Sequence, residues 1–517
     1  MKTKRSLCET MSTIHQPRAQ RTPRHLLGGF TRVAVVAALG WCAAIQPAAA
    51  QFTVLHNFAS GSDGWGPYGS LTLAGPNLYG MTPNGGTNFY GTLFQVNTNG
   101  TGYALRHVFS GLSDGGQPWG SLTLAGSALY GMTSSGGITS GTLFSISTNG
   151  NVFSAYAFSA IDNGGTPIGS VILSGSTLYG MTQNGGTNSP LDGTVFSINT
   201  NFSGGSFSLL HAFGNGGDGD LPDGDVTLAG STLYGMSRNG TNSTPLGVVF
   251  SVSTNANGFT GSGFVPIHTF TGNADDGGGP MYGAPIVSGS VLYGMTQTGG
   301  TGLGVVFMMN TDGSVYTNLH IFVGAASGDG ANPKGQLILS GGVLYGMTAS
   351  GGTNTTNCGG SSDGCGTVFQ INTNGTGYTI LHTFNGGYLE EGPYSLNDGS
   401  LPEGGLLLAG STLYGMTSSG GSNGYGTVFA LALTNQASVN PVLTQVLAIQ
   451  IVGTNVVITI PSLSNQVYQL QYTSAMLPTN WINTSSSVTA GMGSPIQLID
   501  VDGAVQTQRF YRVDISP

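Results

Sequence analysis

A pentapeptide, LYGMT, recurs seven times between residues 78 and 417, with one exchange of the final Thr for Ser. Counted by their tyrosines, the copies are 49 to 69 residues apart. A repeat period of this size is typical of arrays and propellers, in which every copy builds one structural unit. A single active site needs no such repetition, so the pentapeptide predicts architecture.

Each copy consists of four short apolar runs separated by turn signals. In the first copy these runs are GSLTLAG, NLYGMT, GTLFQVNT and YALRHVF, between residues 69 and 109. Four strands within about 50 residues leave no room for a helix and are typical of one propeller blade. The seven copies therefore predict an all-β chain that folds as a seven-bladed β-propeller of four-stranded blades.

The pentapeptide itself is expected to be core. Side chains alternate along a strand, so Leu78, Gly80 and Thr82 face one way while the Tyr and Met between them face the other. Blades pack face to face, which buries both sets and leaves the Met to fill the space between blades. A Gly inside a strand marks close approach of another group, and we expect Phe94 of a neighbouring blade to supply it.

The count of outer strands predicts how the ring closes. An outer-strand sequence, FTVLHNF, occupies residues 52–58 before any LYGMT, whereas none follows the last GTVFALAL, which ends at Leu433. The N-terminal strand is therefore expected to complete the last blade, which removes exposed edges and closes a propeller over residues 51–433.

A different pattern begins after the propeller. Residues 434–444 read as a polar linker, and residues 445–517 contain six or more short apolar runs that predict a small β-sandwich. Its aromatic residues Trp481, Tyr472 and Tyr511 are candidates for contact with a glycan or a cell surface; a place in the core of the module is the alternative.

The repeated L-Y-G-M-T, G-T-[LV]-F and L-H-x-F units, in fixed order over most of residues 52–433, resemble the GloVer tandem repeat of secreted bacterial proteins. Two copies, at Gly247 and Gly304, depart from the pattern because they lack the Thr of G-T-[LV]-F. The C-terminal part resembles modules that are common on secreted bacterial proteins. The resemblance implies export and a repeat fold, and it implies no established activity.

The first fifty residues predict export. Seven Lys and Arg residues precede an apolar run over residues 33–45, and Ala48–Ala50 offers the small side chains that a signal peptidase accepts. We expect a signal peptide cut after Ala50 and a secreted, extracellular or cell-surface protein; an uncleaved anchor is the alternative. No later segment reaches the roughly 20 apolar residues of a membrane span.

Net charge limits the classes of binding partner, and cysteine content limits the covalent and metal sites. After residue 50 the chain has 5 bases and 20 acids, a net charge of −15, which excludes binding of nucleic acid through phosphate neutralisation. Only Cys358 and Cys365 remain there. In an exported protein they predict a disulfide, with two free thiols as the alternative, and they are too few for a structural zinc site.

Histidine is confined to one slot of the repeat. The six histidines of the propeller all lie in the outer-strand motif, and Tyr156 takes the seventh slot. They are on different blades and cannot converge on one metal or substrate, so we expect a structural hydrogen-bonding role. No histidine is left over for a Ser-His-Asp arrangement.

The loops between blades have the form D-G-x-x-P-x-G. Asp and Gly there are explained by turn formation; a ring of carboxylates on one face is the functional alternative. The residue between Pro and Gly is not repetitive. In blade order it is Tyr68, Trp119, Ile168, Asp223, Met281–Tyr282, Lys334 and Glu403. Aromatic side chains stack on the apolar faces of sugars, so we predict ligand binding by Tyr68, Trp119, Tyr282 and the nearby Trp65.

Acidic residues supply two further hypotheses. DGDLPDGD carries four aspartates, a set of oxygen ligands of the kind calcium prefers: Asp218, Asp220, Asp223 and Asp225. The glutamates Glu390, Glu391 and Glu403 cluster in the longest insertion and are the weak candidates for catalysis. No other cofactor is expected, and a quinone-dependent dehydrogenase is disfavoured because basic partners for its anionic cofactor are nearly absent.

Two classes of function follow. The first is a non-catalytic, secreted binding scaffold that presents its loop face to a polysaccharide or cell-surface component. The alternative is an extracellular glycan-cleaving enzyme, a hydrolase or lyase, which would need two carboxylates about 5 to 10 Å apart in one pocket.

Overall fold

The fold was analysed in a computed structural model. It describes residues 51–516 except 138–139, 152, 161, 187–191, 203–205, 215–216, 241–245, 259–261, 356–357, 359–362, 388–396, 434–447, 461–466, 474–481, 490–495 and 502–509. The predicted signal peptide, the linker, Trp481, Glu390 and Glu391 lie outside the described residues. The described chain falls into two compact units, one within residues 46–436 and the other within residues 437–517.

Seven four-stranded antiparallel sheets form the first unit, which is the predicted seven-bladed propeller. The first strands are Thr72–Ala74, Thr123–Ala125, Ile172–Ser174, Thr227–Ala229, Ile286–Ser288, Ile338–Ser340 and Leu407–Ala409. The second strands are Asn77–Thr82, Ala128–Thr133, Thr177–Thr182, Thr232–Ser237, Val291–Thr296, Val343–Thr348 and Thr412–Thr417. The third strands are Thr92–Asn97, Thr142–Ser147, Thr194–Asn199, Val248–Asn257, Val305–Asn310, Thr367–Asn372 and Thr427–Ala432. The fourth, outer strands of blades 1 to 6 are Ala104–Val108, Phe153–Ala157, Ser208–Ala212, Ser262–Thr269, Tyr316–Ile321 and Thr379–Thr383.

The ring closes through the N-terminal strand. Gln51–Asn57 pairs antiparallel with Thr427–Ala432 and is the outer strand of blade 7, as predicted. Blades 5 and 6 add short loop pairs, Gly277–Gly278 with Thr298–Gly299 and Gly330–Ala331 with Ser350–Gly351, and a 3-10 helix follows blade 5 at Ala325–Ser327. In the part of the chain that the structure describes, no helix has the length and apolar character needed to cross a membrane.

LYGMT lies in the second strand of every blade and is core. Tyr79 and Met81 of blade 1 pack with Leu122 and Phe144 of blade 2, which confirms the expected packing between blades. The expected partner of the Gly was assigned to the wrong blade. Gly80 pairs directly with Phe94 on the next strand of the same blade, and a Cβ at Gly80 would lie 2.5 Å from the Phe ring. Residues opposite each other on paired strands point to the same face, so the Phe ring covers the Gly.

The second unit contains two three-stranded antiparallel sheets. In order of pairing, the strands are Ala448–Val452, Asn455–Ile460 and Ile496–Asp500 in one sheet, and Ile482–Thr489, Val467–Thr473 and Phe510–Ser516 in the other. Leu470 and Leu498, one from each sheet, are fully buried. Tyr472 is half-buried. Six strands agree with the sequence, and their assembly as a sandwich stays a prediction.

Candidate functional site

The connections between blades bring the variable slot to the propeller axis. In blade 1, the chain leaves the outer strand of blade 7, passes the Asp-Gly turn at Asp63 and enters the first strand at Thr72. First strands of neighbouring blades contact each other; for example, the Thr72 hydroxyl donates to the carbonyl of Leu122. The first strands therefore surround the axis, and the residue between Pro and Gly lies where the seven connections meet.

A small cavity of about 20 Å³ lies at this meeting point. Five slot residues line it, and blades 6 and 7 contribute their neighbours Gln336 and Gly404. These five are Tyr68, Trp119, Ile168, Asp223 and Tyr282. We call the slot residues of all seven blades, with Tyr282 for blade 5, the axial slots.

The aromatic axial slots form one cluster. The rings of Tyr68 and Trp119 are 4.6 Å apart and inclined by 59°, and those of Tyr68 and Tyr282 are 6.3 Å apart and nearly perpendicular. The Trp119 indole donates to the Ser134 hydroxyl at 3.1 Å, which fixes its orientation. The cluster therefore offers a ring edge and a ring face, not one flat platform. Trp65 lies apart from it, beside Tyr425.

Two ion pairs involve axial slots beside the cavity. Lys334 donates to the Glu403 carboxylate, and Arg238 lies 3.5 Å from the Asp223 carboxylate. Burial raises the pKa of Asp223, although a hydrogen bond from Gln183 and the charge of Arg238 oppose the shift.

The pKa of Tyr282 is also shifted by burial and by neighbouring charges. Burial, followed by the charges of Glu403 and Asp223, raises its pKa to about 12. Its phenol therefore stays protonated and able to donate. The rim combines apolar rings with donors and acceptors whose charges are paired.

Three of the four aspartates of the calcium hypothesis have separate partners. Asp218 bonds to His211 at 3.0 Å, Asp223 bonds to Gln183 and Arg238, and the backbone N–H of Ser170 donates to Asp225. Burial raises the pKa of Asp225 to about 6. Among the described residues, no group of three or more His, Cys, Asp or Glu is arranged to hold a metal ion. Calcium binding stays a prediction, and these contacts do not support it.

The catalytic hypothesis retains one described residue. Glu403 is buried and ion-paired with Lys334. The cysteine prediction is confirmed, because Cys358 and Cys365 form a disulfide in the loop between the second and third strands of blade 6.

Sequence reasoning missed a ring of His–Asp pairs. Each repeat histidine bonds through Nε2 to the Asp of the following Asp-Gly turn at 3.0 to 3.1 Å. The pairs are His56–Asp63, His107–Asp114, His211–Asp218, His268–Asp276, His320–Asp329 and His382–Asp398. In the seventh position Tyr156 accepts a hydrogen bond from Asn163 at 2.6 Å. The paired change of both residues, at the spacing of seven that the pairs of blades 7, 1 and 3 also have, was the signal in the sequence.

These histidines also join neighbouring blades. Each stacks on an aromatic ring at the outer strand of the next blade, with centroids 3.6 to 4.7 Å apart. Phe52 from the N-terminal strand stacks on His382, so the circle includes the closing strand. We call the seven pairs and their stacked rings the outer ring. Its contacts explain the repeated His and Asp structurally.

Fold and site together define a closed seven-bladed propeller built from tandem repeats, with a variable cluster at its axis. The repeat pattern of the Gloeobacter/Verrucomicrobia repeat matches residues 26–250 and 192–429. The chain belongs to this family, which confirms the resemblance seen in the sequence. No curated protein matches the chain.

Several solved structures are similar at low identity. A puromycin-hydrolyzing peptidase of Mycobacterium tuberculosis is 12% identical with a TM-score of 0.44; the match covers 73% of this chain and 56% of the peptidase. The polysaccharide lyase Uly1 is 12% identical with a TM-score of 0.40, over 73% of this chain and 92% of the lyase. The endosialidase of phage phi92 is 12% identical with a TM-score of 0.38, over 75% and 70%. This chain thus spans little more than half of the peptidase, and the likenesses carry no argument about activity.

Proposed function

We propose that the protein is an exported, non-catalytic binding module that holds a sugar ligand at the axial slots. The observation that carries this proposal is the convergence of a non-repetitive loop position from five of the blades on a single cavity. The Pro and Gly around that position are the same in nearly every blade. The backbone of the loop is therefore alike in the blades, and the fold does not explain why the residue between them differs. Apolar rings with a few converging polar groups are the usual lining of small-ligand sites.

The chemistry of the rim suits an uncharged sugar. Tyr68 and Trp119 supply an apolar edge and face, while the ion pairs of Asp223 and Glu403 supply acceptors for hydroxyl groups. The net charge of −15 after residue 50 disfavours an anionic ligand. In this proposal the C-terminal unit would attach the protein to a polysaccharide or cell surface.

Glycan cleavage is the second candidate, since two carboxylates, Asp223 and Glu403, belong to the axial slots. Cleavage by a pair of carboxylates needs one as acid and one as base or nucleophile. Here Gln183, Arg238 and Lys334 already occupy both groups. That engagement favours binding over catalysis.

The test is a glycan array probed with residues 51–517, with and without calcium, followed by titration of the best oligosaccharide. Trp119→Ala should weaken binding roughly tenfold to a hundredfold, the usual effect of truncating an aromatic anchor. Val315→Ala, an exposed site on the opposite face, is the matched control. Unchanged affinity of Trp119→Ala, or its early melting, contradicts the proposal. Release of reducing or unsaturated ends from the bound glycan would favour the enzyme.

A further inference from the structure

A second group of aromatic side chains lies on the loop face, away from the axial slots. Five large apolar residues are exposed in the loops of blade 7, blade 1 and the start of blade 2. They are Trp65 (38%), Phe89 (72%), Tyr90 (44%), Leu112 (70%) and Tyr425 (36%). We call this group the aromatic strip. Exposed apolar patches on a stable protein commonly mark binding sites.

The fold does not require aromatic residues at these positions. Tyr90 and Tyr425 occupy equivalent slots, because their carbonyls accept the N–H of the residue before the next Pro, from Gln117 and Gly66 respectively. Five residues with the same backbone contact are not aromatic: Ser140, Asp192, Leu246, Leu303 and Cys365. The equivalents of Trp65, two residues after the Asp or Asn of each turn, are Gly116, Gly165, Asp220, Gly278, Ala331 and Ser400.

Contacts run along the strip across two blade junctions. The Trp65 and Tyr425 rings are 6.2 Å apart at the junction of blades 7 and 1. Trp65 N–H donates to the Asn84 carbonyl at 3.0 Å, which holds its loop beside the loop of Tyr90. The Tyr90 ring covers the start of the next connection: a Cβ at Gly116 would lie 2.9 Å from it. These contacts link the loops that carry Trp65, Tyr90 and Tyr425.

Phe89 has a backbone conformation that is unfavourable for a residue with a side chain. Its φ is 64°, in the left-handed region that favours glycine, and its ring is the most exposed of the strip. An ordinary residue there strains the backbone, and this ring buries little surface in return. Such outliers cluster at ligand sites, where the side chain serves contact and not stability.

The charges of the strip indicate the class of ligand. None of its five side chains is charged, and the carboxylates two residues from Trp65 and Leu112 in the sequence, Asp63 and Asp114, are bound to the histidines of the outer ring. The chain after residue 50 has a net charge of −15, so an anionic polymer would be repelled. Separate flat rings spaced by glycine and amide groups suit the repeated apolar faces of a sugar chain.

We propose that the aromatic strip binds an uncharged polysaccharide that runs across the junctions of blades 7, 1 and 2. This surface is separate from the axial slots, and the proposal does not rest on the axial one. A sugar chain gains affinity from several stacked rings at once, whereas a short oligosaccharide reaches only part of the strip.

Affinity gel electrophoresis tests the strip with three neutral polymers, hydroxyethyl cellulose, galactomannan and laminarin, and one anionic polymer, carboxymethyl cellulose. At least one neutral polymer should retard the protein, and carboxymethyl cellulose should not. Trp65→Ala should weaken that retardation roughly tenfold or more. Phe89→Gly should weaken it as well while leaving the melting temperature equal or higher, because glycine adopts a positive φ without strain.

Val323→Ala is the matched control, an exposed apolar residue on the loop of blades 5 and 6. It should leave retardation unchanged. Retardation by no neutral polymer, or by the anionic one alone, overturns the proposal, as does full retardation of both strip variants. The axial proposal is separable, because Trp119→Ala should lose oligosaccharide binding while Trp65→Ala keeps it.

Discussion

The outer ring and the axial slots lie at opposite ends of the same seven connections, and their sequences vary in opposite ways. At the outer end, six of seven positions have the same His–Asp pair, and the seventh exchanges both members together. At the axial end, aromatic, aliphatic, acidic and basic residues follow one another. Repeats constrained by packing stay alike, so variation at a loop position that lines the cavity separates the site from its scaffold.

Removal of residues 51–58 is the strongest way to break the outer ring. The variant loses the outer strand of blade 7, the stack of Phe52 on His382, and Phe58, which is fully buried. Truncation of one buried Phe costs roughly 3 to 5 kcal/mol, so we expect a loss above about 5 kcal/mol in the free energy of unfolding. Guanidinium unfolding followed by circular dichroism measures it, with Val315→Ala as control. A stability equal to that of the control would mean that this strand does not close the ring.

The second prediction replaces a His–Asp pair of the outer ring with the Tyr–Asn pair found in the seventh position. His107→Tyr or Asp114→Asn alone should each cost about 1.5 to 3 kcal/mol, since a hydrogen bond to a charged group is lost. The double exchange copies the pair of Tyr156 and Asn163 and should cost less than the sum. A double-mutant cycle on unfolding free energies measures this coupling. Strictly additive costs would show that the two residues do not act as a pair.

Acid should weaken the outer ring only at low pH, well below the pH at which Asp225 at the axial cavity, with a pKa of about 6, takes up a proton. Burial alone would raise the pKa of Asp276, but hydrogen bonds from His268 and Thr271 outweigh it and lower the pKa to about 2. The folded-state pKa is depressed, so this carboxylate stabilises the fold fully above its ordinary value of 3.8 and loses that contribution as the pH falls towards 2.

Unfolding free energies from pH 5 to pH 2 measure this loss. Asp276→Asn should reduce the free energy of unfolding at pH 5. It should also make the fall of that free energy with pH less steep, by an amount that corresponds to the uptake of at most one proton on unfolding. Asn163→Ser, in the pair without a carboxylate, should shift the curve without a change of slope. An equally steep decline in Asp276→Asn would assign the acid sensitivity to other groups.

Much of the fold was predictable because the repeat displays its strands seven times. The balance of strand types predicted closure, since FTVLHNF is surplus at one end and missing at the other. The register inside a blade was less predictable. The contact of Gly80 with Phe94 depends on which residues face each other across two strands, and both the same and the neighbouring blade fit the alternation.

The candidate sites also differ in how far the sequence predicts them, according to whether their residues are close together in the sequence. Variation at one loop position predicted the axial slots, because the position is local in sequence. The aromatic strip could not be predicted in this way: Trp65 and Tyr425 are far apart in sequence and meet only through the closed ring. The partner of each His lies in the next loop, and only the joint exchange at Tyr156 and Asn163 indicated it.

The smallest expected effect on stability is a contrast between two adjacent residues, one in the variable position and one in the repeated part of the loop. Ile168 is an axial slot, and Gly169 beside it belongs to the repeated part of the loop. A Cβ at Gly169 would lie 2.0 Å from the carbonyl oxygen of Gly224, a backbone atom of the next blade that cannot move aside alone. Gly169→Ala should therefore destabilise the propeller, as overpacking of a dense contact commonly does.

Ile168→Ser should change the free energy of unfolding by no more than about 1 kcal/mol, because the half-buried side chain faces the cavity and leaves no void inside a packed blade. Thermal melting of both variants beside the wild type measures the contrast. A loss in Ile168→Ser as large as that in Gly169→Ala would show that the axial slots are held by packing. Their variety would then reflect how each blade fills the axis, and the case for a ligand there would fall with it.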